Sequence, residues 1–141
     1  MSDSLYLLDT NMFSYIAKGN SPAARSEFLR LSEDRDATVS ISVITEAEVR
    51  YGIAKHALSR KREAAIEGML ANLQIISWGS EEAAAYARTR ARLEAKGVTL
   101  SALDMLIAAQ AVAAGAVLVT RDKVFEHVED LCATVNWATD L

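Results

Sequence analysis

Four acidic residues, Asp9, Glu48, Asp104 and Asp122, stand where folding could gather them. Asp9 ends the apolar run Leu5-Tyr6-Leu7-Leu8, and Asp122 follows the run Val117-Leu118-Val119-Thr120. Glu48 lies in a helical stretch behind a second apolar run, and Asp104 opens the most apolar stretch of the chain. Carboxylates brought together repel one another, so at least one is expected to have a raised pKa unless a cation sits among them. Clusters with oxygen donors alone suit Mg²⁺ or Mn²⁺. The pattern points to a divalent-metal enzyme acting on phosphates.

Each acid also has a plainer role open to it. Asp9 begins Asp9-Thr10-Asn11, and Asp is a favoured helix N-cap and turn residue. The helix near residue 48 carries a second acid, Glu46, with Arg50 four residues on, the spacing of a helical ion pair. Glu48 has no such local partner and borders an apolar stripe of Val43, Ile44, Ala47, Tyr51 and Ala54, read here as a core face. A carboxylate at the edge of a core needs a reason to be there, which makes Glu48 the functional candidate. Asp104 stands three residues after Ser101, as in a capping box. The helix it opens is polar only at Gln110 over Met105–Ala114, the mark of a buried central helix. Asp122 could equally cap the short segment Lys123–His127. Asn11 and Thr120 would steady the site with neutral oxygens.

The elements that would position these residues alternate. Strands are expected at Leu5–Leu8, Thr38–Ser42, Gln74–Ser77, Val117–Thr120 and Thr134–Asn136. Helices are expected at Met12–Lys18, Pro22–Leu31, Val43–Lys55 and Arg60–Leu73, then from a Ser80 cap to Gly97 and from a Ser101 cap to Gly115. Ser21 before Pro22, the one proline, is a further cap. Strands separated by helices imply an α/β fold, a central parallel sheet flanked by helices on both faces. Ligands bind beyond the carboxyl ends of such strands, the edge where Asp9 and Asp122 are both predicted.

At 141 residues the chain, 1–141, is read as a single domain. With 51% hydrophobic residues it is a folded protein rather than a disordered one. No apolar run reaches the roughly 18 residues of a membrane helix, and no basic stretch leads into a signal core. The lone cysteine, Cys132, fits a reducing compartment, so a cytoplasmic location is expected. With only His56 and His127 beside it, Cys/His zinc sites are excluded. The net charge of −4 argues against a nonspecific nucleic-acid coat but not against a nuclease, since a bound metal reverses the local field.

Leu7-Leu8-Asp9-Thr10-Asn11 resembles the opening of PIN-domain ribonucleases, particularly the VapC toxins of bacterial toxin–antitoxin pairs. Ile41–Gly52 resembles that family's second block, whose acid before the hydrophobic-x-Tyr-Gly ending selects Glu48 over Glu46. Leu103–Ala108, around Asp104, resembles the third block, and Val119–Phe125, around Asp122, the fourth. Arg121 departs from the Asn often found there. The resemblance implies a Mg²⁺- or Mn²⁺-dependent endoribonuclease with Asp9, Glu48, Asp104 and Asp122 as catalytic and metal-binding residues. It implies an RNA substrate, with tRNA a candidate. The expected partners are a second copy of the chain, as a homodimer, and a small VapB-like antitoxin encoded beside it. Carboxylate-held metal could activate water and screen the phosphate. The helix near Ile66-Met69-Leu70-Leu73 is a candidate dimer surface. Lys55, Arg60, Lys61 and Arg62, with Arg88 and Arg92 at i and i+4, are candidate RNA contacts, and Arg121 is another. The same residues suit a solvated surface.

Two other classes compete. One is a related metal enzyme, a phosphatase or a nuclease for structured DNA. A haloacid-dehalogenase-like phosphatase would want an acid where Asn11 stands. The other is a non-catalytic PIN-like module binding RNA or protein, or a receiver-type signalling domain.

Overall fold

The structure, a computed structural model, describes residues 3–141. Its strands are β1 (Ser4–Leu8), β2 (Ala37–Ser42), β3 (Gln74–Ile76), β4 (Val117–Val119) and β5 (Thr134–Val135). The helices are α1 (Thr10–Lys18), α2 (Pro22–Ser32), α3 (Val43–Lys55), α4 (Arg60–Asn72), α5 (Ser80–Ala95) and α6 (Ala102–Ala114), with a 3-10 turn over Lys123–Val128. One five-stranded sheet runs in the order β3-β2-β1-β4-β5, and every pairing is parallel. The fold is thus the α/β sheet expected from the alternation of strands and helices.

Successive residues of a strand point to opposite faces, and both faces here are covered. Leu7 and Leu8 are each 0% exposed, yet they belong to different cores. Leu8 packs with Met12, Phe13, Ile16, Phe28 and Leu70, from α1, α2 and α4. Leu7 packs with Leu93, Met105, Ile107, Leu118 and Phe125, from α5, α6, β4 and the 3-10 turn. This two-sided burial explains why the strands are continuous apolar runs. The chain leaves β1 for β2 on one side, and β4 lies on the other. The crevice beyond the ends of β1 and β4 is therefore the switch point at which open sheets bind ligands.

Caps set the helix starts. Ser21 Oγ, fully buried, accepts the Ala24 N–H at 3.1 Å and donates to Asp140 at 2.5 Å. The other Asp140 oxygen accepts the Ala23 N–H at 3.0 Å, so the C-terminal segment is fastened to the first turn of α2. Replacing Ser21 with alanine should cost about 1 kcal/mol or more, read as a lower denaturation midpoint at unchanged m value. The α5 start differs from expectation. Ser80 is the first helical residue, and Gly79 is the cap. The Gly79 N–H is satisfied by Glu82 Oε1 at 2.7 Å, so a serine is not needed there.

Two expected faces are reversed. Met69, Leu70 and Leu73 are buried inside the chain's own core and supply no dimer surface. Of the expected α3 stripe, Val43, Ala47, Tyr51 and Ala54 are exposed rather than packed, while Ile44 is half-buried against the Leu7 core. The core side of α3 is Thr45 and Val49. Cys132 is a packed core residue, and burial pushes its thiol up to about 11.

Candidate active site

Asp9 leaves β1 and becomes the N-cap of α1, its Oδ1 accepting the Met12 N–H at 2.7 Å. Its other oxygen accepts the Thr120 hydroxyl at 2.6 Å. The Asp9 N–H donates to Val119 O at 3.0 Å, continuing the β1–β4 ladder past the strand end. Capping and site placement are therefore the same geometry, not rivals. Each carboxylate oxygen keeps a second lone pair for another partner.

Asn11, exposed, and Thr10 follow on the first turn of α1. Glu48 comes from the second turn of α3, and Asp104 from the first turn of α6, where its N–H donates to Ser101 Oγ at 3.3 Å. Asp9, Asn11, Glu48 and Asp104 line one cleft of about 200 Å³, with Ile44, Leu103 and Ile107 as its apolar walls. Asp122 stands next door. Its N–H donates to Thr120 Oγ1 at 3.0 Å, and its carboxylate accepts the Val124 N–H at 3.0 Å as the cap of the 3-10 turn. It lines a separate cleft with Arg121, Lys123 and Asn136. Thr120 thus links the two acids, donating to one and accepting from the backbone of the other. Glu46 is paired with Arg50 at 3.0 Å, as expected from their spacing.

Asp9 is only 5% exposed. Burial raises its carboxyl pKa from 3.8 to about 6, against the lowering effect of the Thr120 and Met12 hydrogen bonds; the charges of Asp104 and Asp122 add to the rise. Repulsion among the acids was the expected cause, but desolvation is the larger one.

The cleft's donors are carboxylate and amide oxygens, the set that Mg²⁺ and Mn²⁺ prefer. A cation there would relieve the buried Asp9 charge. Among the described residues no three His, Cys, Asp or Glu side chains stand close enough to hold an ion directly. That suits Mg²⁺, which usually keeps several waters and takes one or two carboxylates. By donor chemistry the residues fit such an ion.

The basic residues divide. Arg92 is committed to Asp130, which Lys96 also approaches at 3.6 Å. It is therefore not the free phosphate contact expected from its spacing with Arg88. Arg88, Arg60 and Arg121 are exposed and make no ion pair among the described residues. Lys55 lies 5.6 Å from the Tyr51 ring centre. Arg62 lines a groove of about 410 Å³ with Lys18, His56, Phe13 and Ile66 that also reaches Thr10 and Glu48. This groove was not legible in the sequence, because α1, α3 and α4 each contribute only a few of its residues.

The sequence pattern of the PIN domain family matches residues 6–131. "Ribonuclease VapC2" of Rickettsia felis is 31% identical over 134 residues, covering 94% of this chain and 98% of that protein. "tRNA(fMet)-specific endonuclease VapC" of Salmonella typhimurium is 31% identical over 133 residues, covering 90% and 98%. Among solved structures, VapBC2 from Rickettsia felis bound to a DNA fragment from their promoter superposes with a TM-score of 0.85 at 28% identity, covering 94% of this chain and 98% of that one. Among the described residues no helix is long and apolar enough to cross a membrane.

Proposed function

Because the chain belongs to the PIN domain family, we propose that it is a divalent-metal-dependent endoribonuclease, the toxin of a toxin–antitoxin pair. The observation that carries this is the meeting of Asp9, Glu48 and Asp104, from three separate elements, around one cleft at the switch point of the sheet. The relatives named ribonuclease or tRNA(fMet)-specific endonuclease match nearly end to end, which directs the phosphate chemistry to RNA, with tRNA the first substrate to try.

Asp9 and Asp104 would hold the ion, with Glu48 reaching it through water, and Asn11 orienting a solvent molecule at the rim. Bound Mg²⁺ or Mn²⁺ would supply charge neutralisation at the scissile phosphate and acidify a water. Thr120 holds Asp9 in one rotamer, and Asp122 adds negative charge beside it. Arg121 and Lys123, which line the neighbouring cleft, would meet the flanking phosphates. Phosphate contacts of this kind position a strand without reading its sequence.

The test is a cleavage assay on tRNA, single-stranded RNA, duplex DNA and a phosphomonoester, with Mn²⁺, with Mg²⁺ and with chelator. Internal cleavage of RNA alone, lost on chelation, is expected. Turnover of the monoester, or of DNA in preference to RNA, would reject the reading.

Two partners follow from the surface. The exposed α3 stripe of Val43, Ala47, Tyr51 and Ala54 is proposed as the contact between two copies. The groove beside the acids suits the apolar tail of an antitoxin, disordered when free. Because the groove opens at Glu48, such a tail could lay a guanidinium among the carboxylates. An antitoxin that inhibits equally well after deletion of its tail would exclude that mode.

A further inference from the structure

We propose that the hydroxyl pair Thr10–Thr45 is a positioning device that aims Glu48 into the acid cleft; the inference deepens the ribonuclease reading and rests on it. The two Oγ1 atoms are 3.1 Å apart and join residues 35 positions apart in the chain. Thr45 is fully buried, so its hydroxyl needs a partner inside the protein. A threonine within a helix can bond back to the carbonyl four residues earlier. Thr45 instead reaches across to the first residue of α1.

The geometry around this pair gives it a task. Leu8 of β1 lies in register with Ile41 of β2, so α1 and α3 leave the sheet side by side, at Thr10 and Val43. Strand pairing fixes where each helix starts. It does not fix how α3 rolls about its own axis. Apolar packing resists that roll through few side chains, since the buried residues of α3 are Thr45 and Val49, Ile44 is half-buried against the Leu7 core, and its outer stripe is open. Thr45 and Glu48, at i and i+3, share a face. A tie at Thr45 therefore sets the heading of Glu48 one turn later. Glu48 and Thr10 border both the acid cleft and the larger groove. A modest roll would swing the Glu48 carboxylate from the first into the second. Thr10 is bonded in the chain to Asp9, so the pair references one acid to the other.

The experiment compares wild type with Thr45→Val, Thr45→Ser, Thr10→Val and the double valine variant. Valine keeps the shape and deletes the hydroxyl; serine keeps the hydroxyl. RNA cleavage in Mn²⁺ is read as separate kcat and KM. The ¹³C shift of the Glu48 carboxyl carbon is read in the metal-free protein. Thr45→Val should lower kcat roughly tenfold or more, as misplacement of a reacting group does, with KM within about twofold. Its Glu48 resonance should move. Thr45→Ser should restore both. The double variant should be no worse than either single one, since one interaction is lost in all three. Wild-type kcat and an unmoved Glu48 resonance in Thr45→Val would overturn the proposal, as would a serine variant no better than valine. If Thr45→Val does not fold, Thr10→Val poses the same question from the half-buried side of the pair. A wild type without ribonuclease activity would reject the functional reading, and the Glu48 resonance would then decide the positioning by itself.

Discussion

Asp9→Asn should abolish RNA cleavage and growth arrest while leaving a protein that is more stable than wild type near neutral pH. The loss follows from removing a charge that would hold the ion. Charge stabilisation of several kcal/mol corresponds to roughly a thousandfold at about 1.4 kcal/mol per decade. The stability gain follows from the burial of the carboxylate. Its pKa rises from 3.8 to about 6, so the folded state binds the proton more tightly than the unfolded chain. The cost of ionising Asp9 in the fold is absent below about pH 4. It grows as pH rises to about 6, and stays at about 3 kcal/mol above that. Asparagine carries no such cost. Its carbonyl oxygen can keep the Met12 N–H, and its amide can donate to Thr120 Oγ1, which has lone pairs to spare. Metal-free wild type should therefore melt lower at pH 7.5 than at pH 5 relative to the variant. Millimolar Mn²⁺ should raise the wild-type melting temperature at pH 7.5, less at pH 5, and not in Asp9→Asn. Equal metal-induced shifts in the two proteins would place the ion elsewhere.

The second large effect separates two glutamates two residues apart on α3, on roughly opposite faces of the helix. Glu48→Gln should lower kcat by roughly a hundredfold, the upper range for loss of a metal-orienting group. Glu46→Gln should leave kcat within about twofold, because an exposed i,i+4 ion pair contributes little. Glu46 is joined to Arg50, which also reaches Glu67 at 3.1 Å. Glu48 instead lines the cleft that holds Asp9 and Asp104. Steady-state cleavage by both variants settles the contrast, and a reversed order would mean that α3 presents the wrong face here.

How much of this was legible in the sequence depends on the range of the interaction. Strands and helices were, because their apolar patterns and caps are local. So was the common edge of Asp9 and Asp122, because both directly follow strands that must be parallel. The direction of the α3 stripe was not. An apolar helix face looks the same whether it packs in its own chain or waits for another. Of the neighbour relation that selected Glu48, only Ile44 packs in the chain's own core and walls the same cleft, while the lack of a local ion partner holds. The commitment of Arg92 to Asp130, 38 residues on, was hidden for the same reason. Asp122 turned out to line a cleft of its own, because two residues beyond Thr120 redirect the chain into the 3-10 turn. The cause of the Asp9 shift needed three dimensions as well, since sequence shows charges but not desolvation.

One contact bears on how the protein comes into being. Asp9 is held by Thr120, 111 residues later, and β1 lies between β2 and β4. Pairings this distant form late and slowly. While a ribosome is still translating the first hundred residues, the nascent chain has Asp9 and Glu48 but neither Asp104 nor Thr120. The cleft cannot close until Asp104 and Ile107 have been made, nor Asp9 be held until Thr120 has. A chain that stops before Thr120 lacks the hydrogen bond that holds Asp9, and one that stops before Asp104 lacks an acid of the cleft as well, so shorter fragments carry an incomplete site.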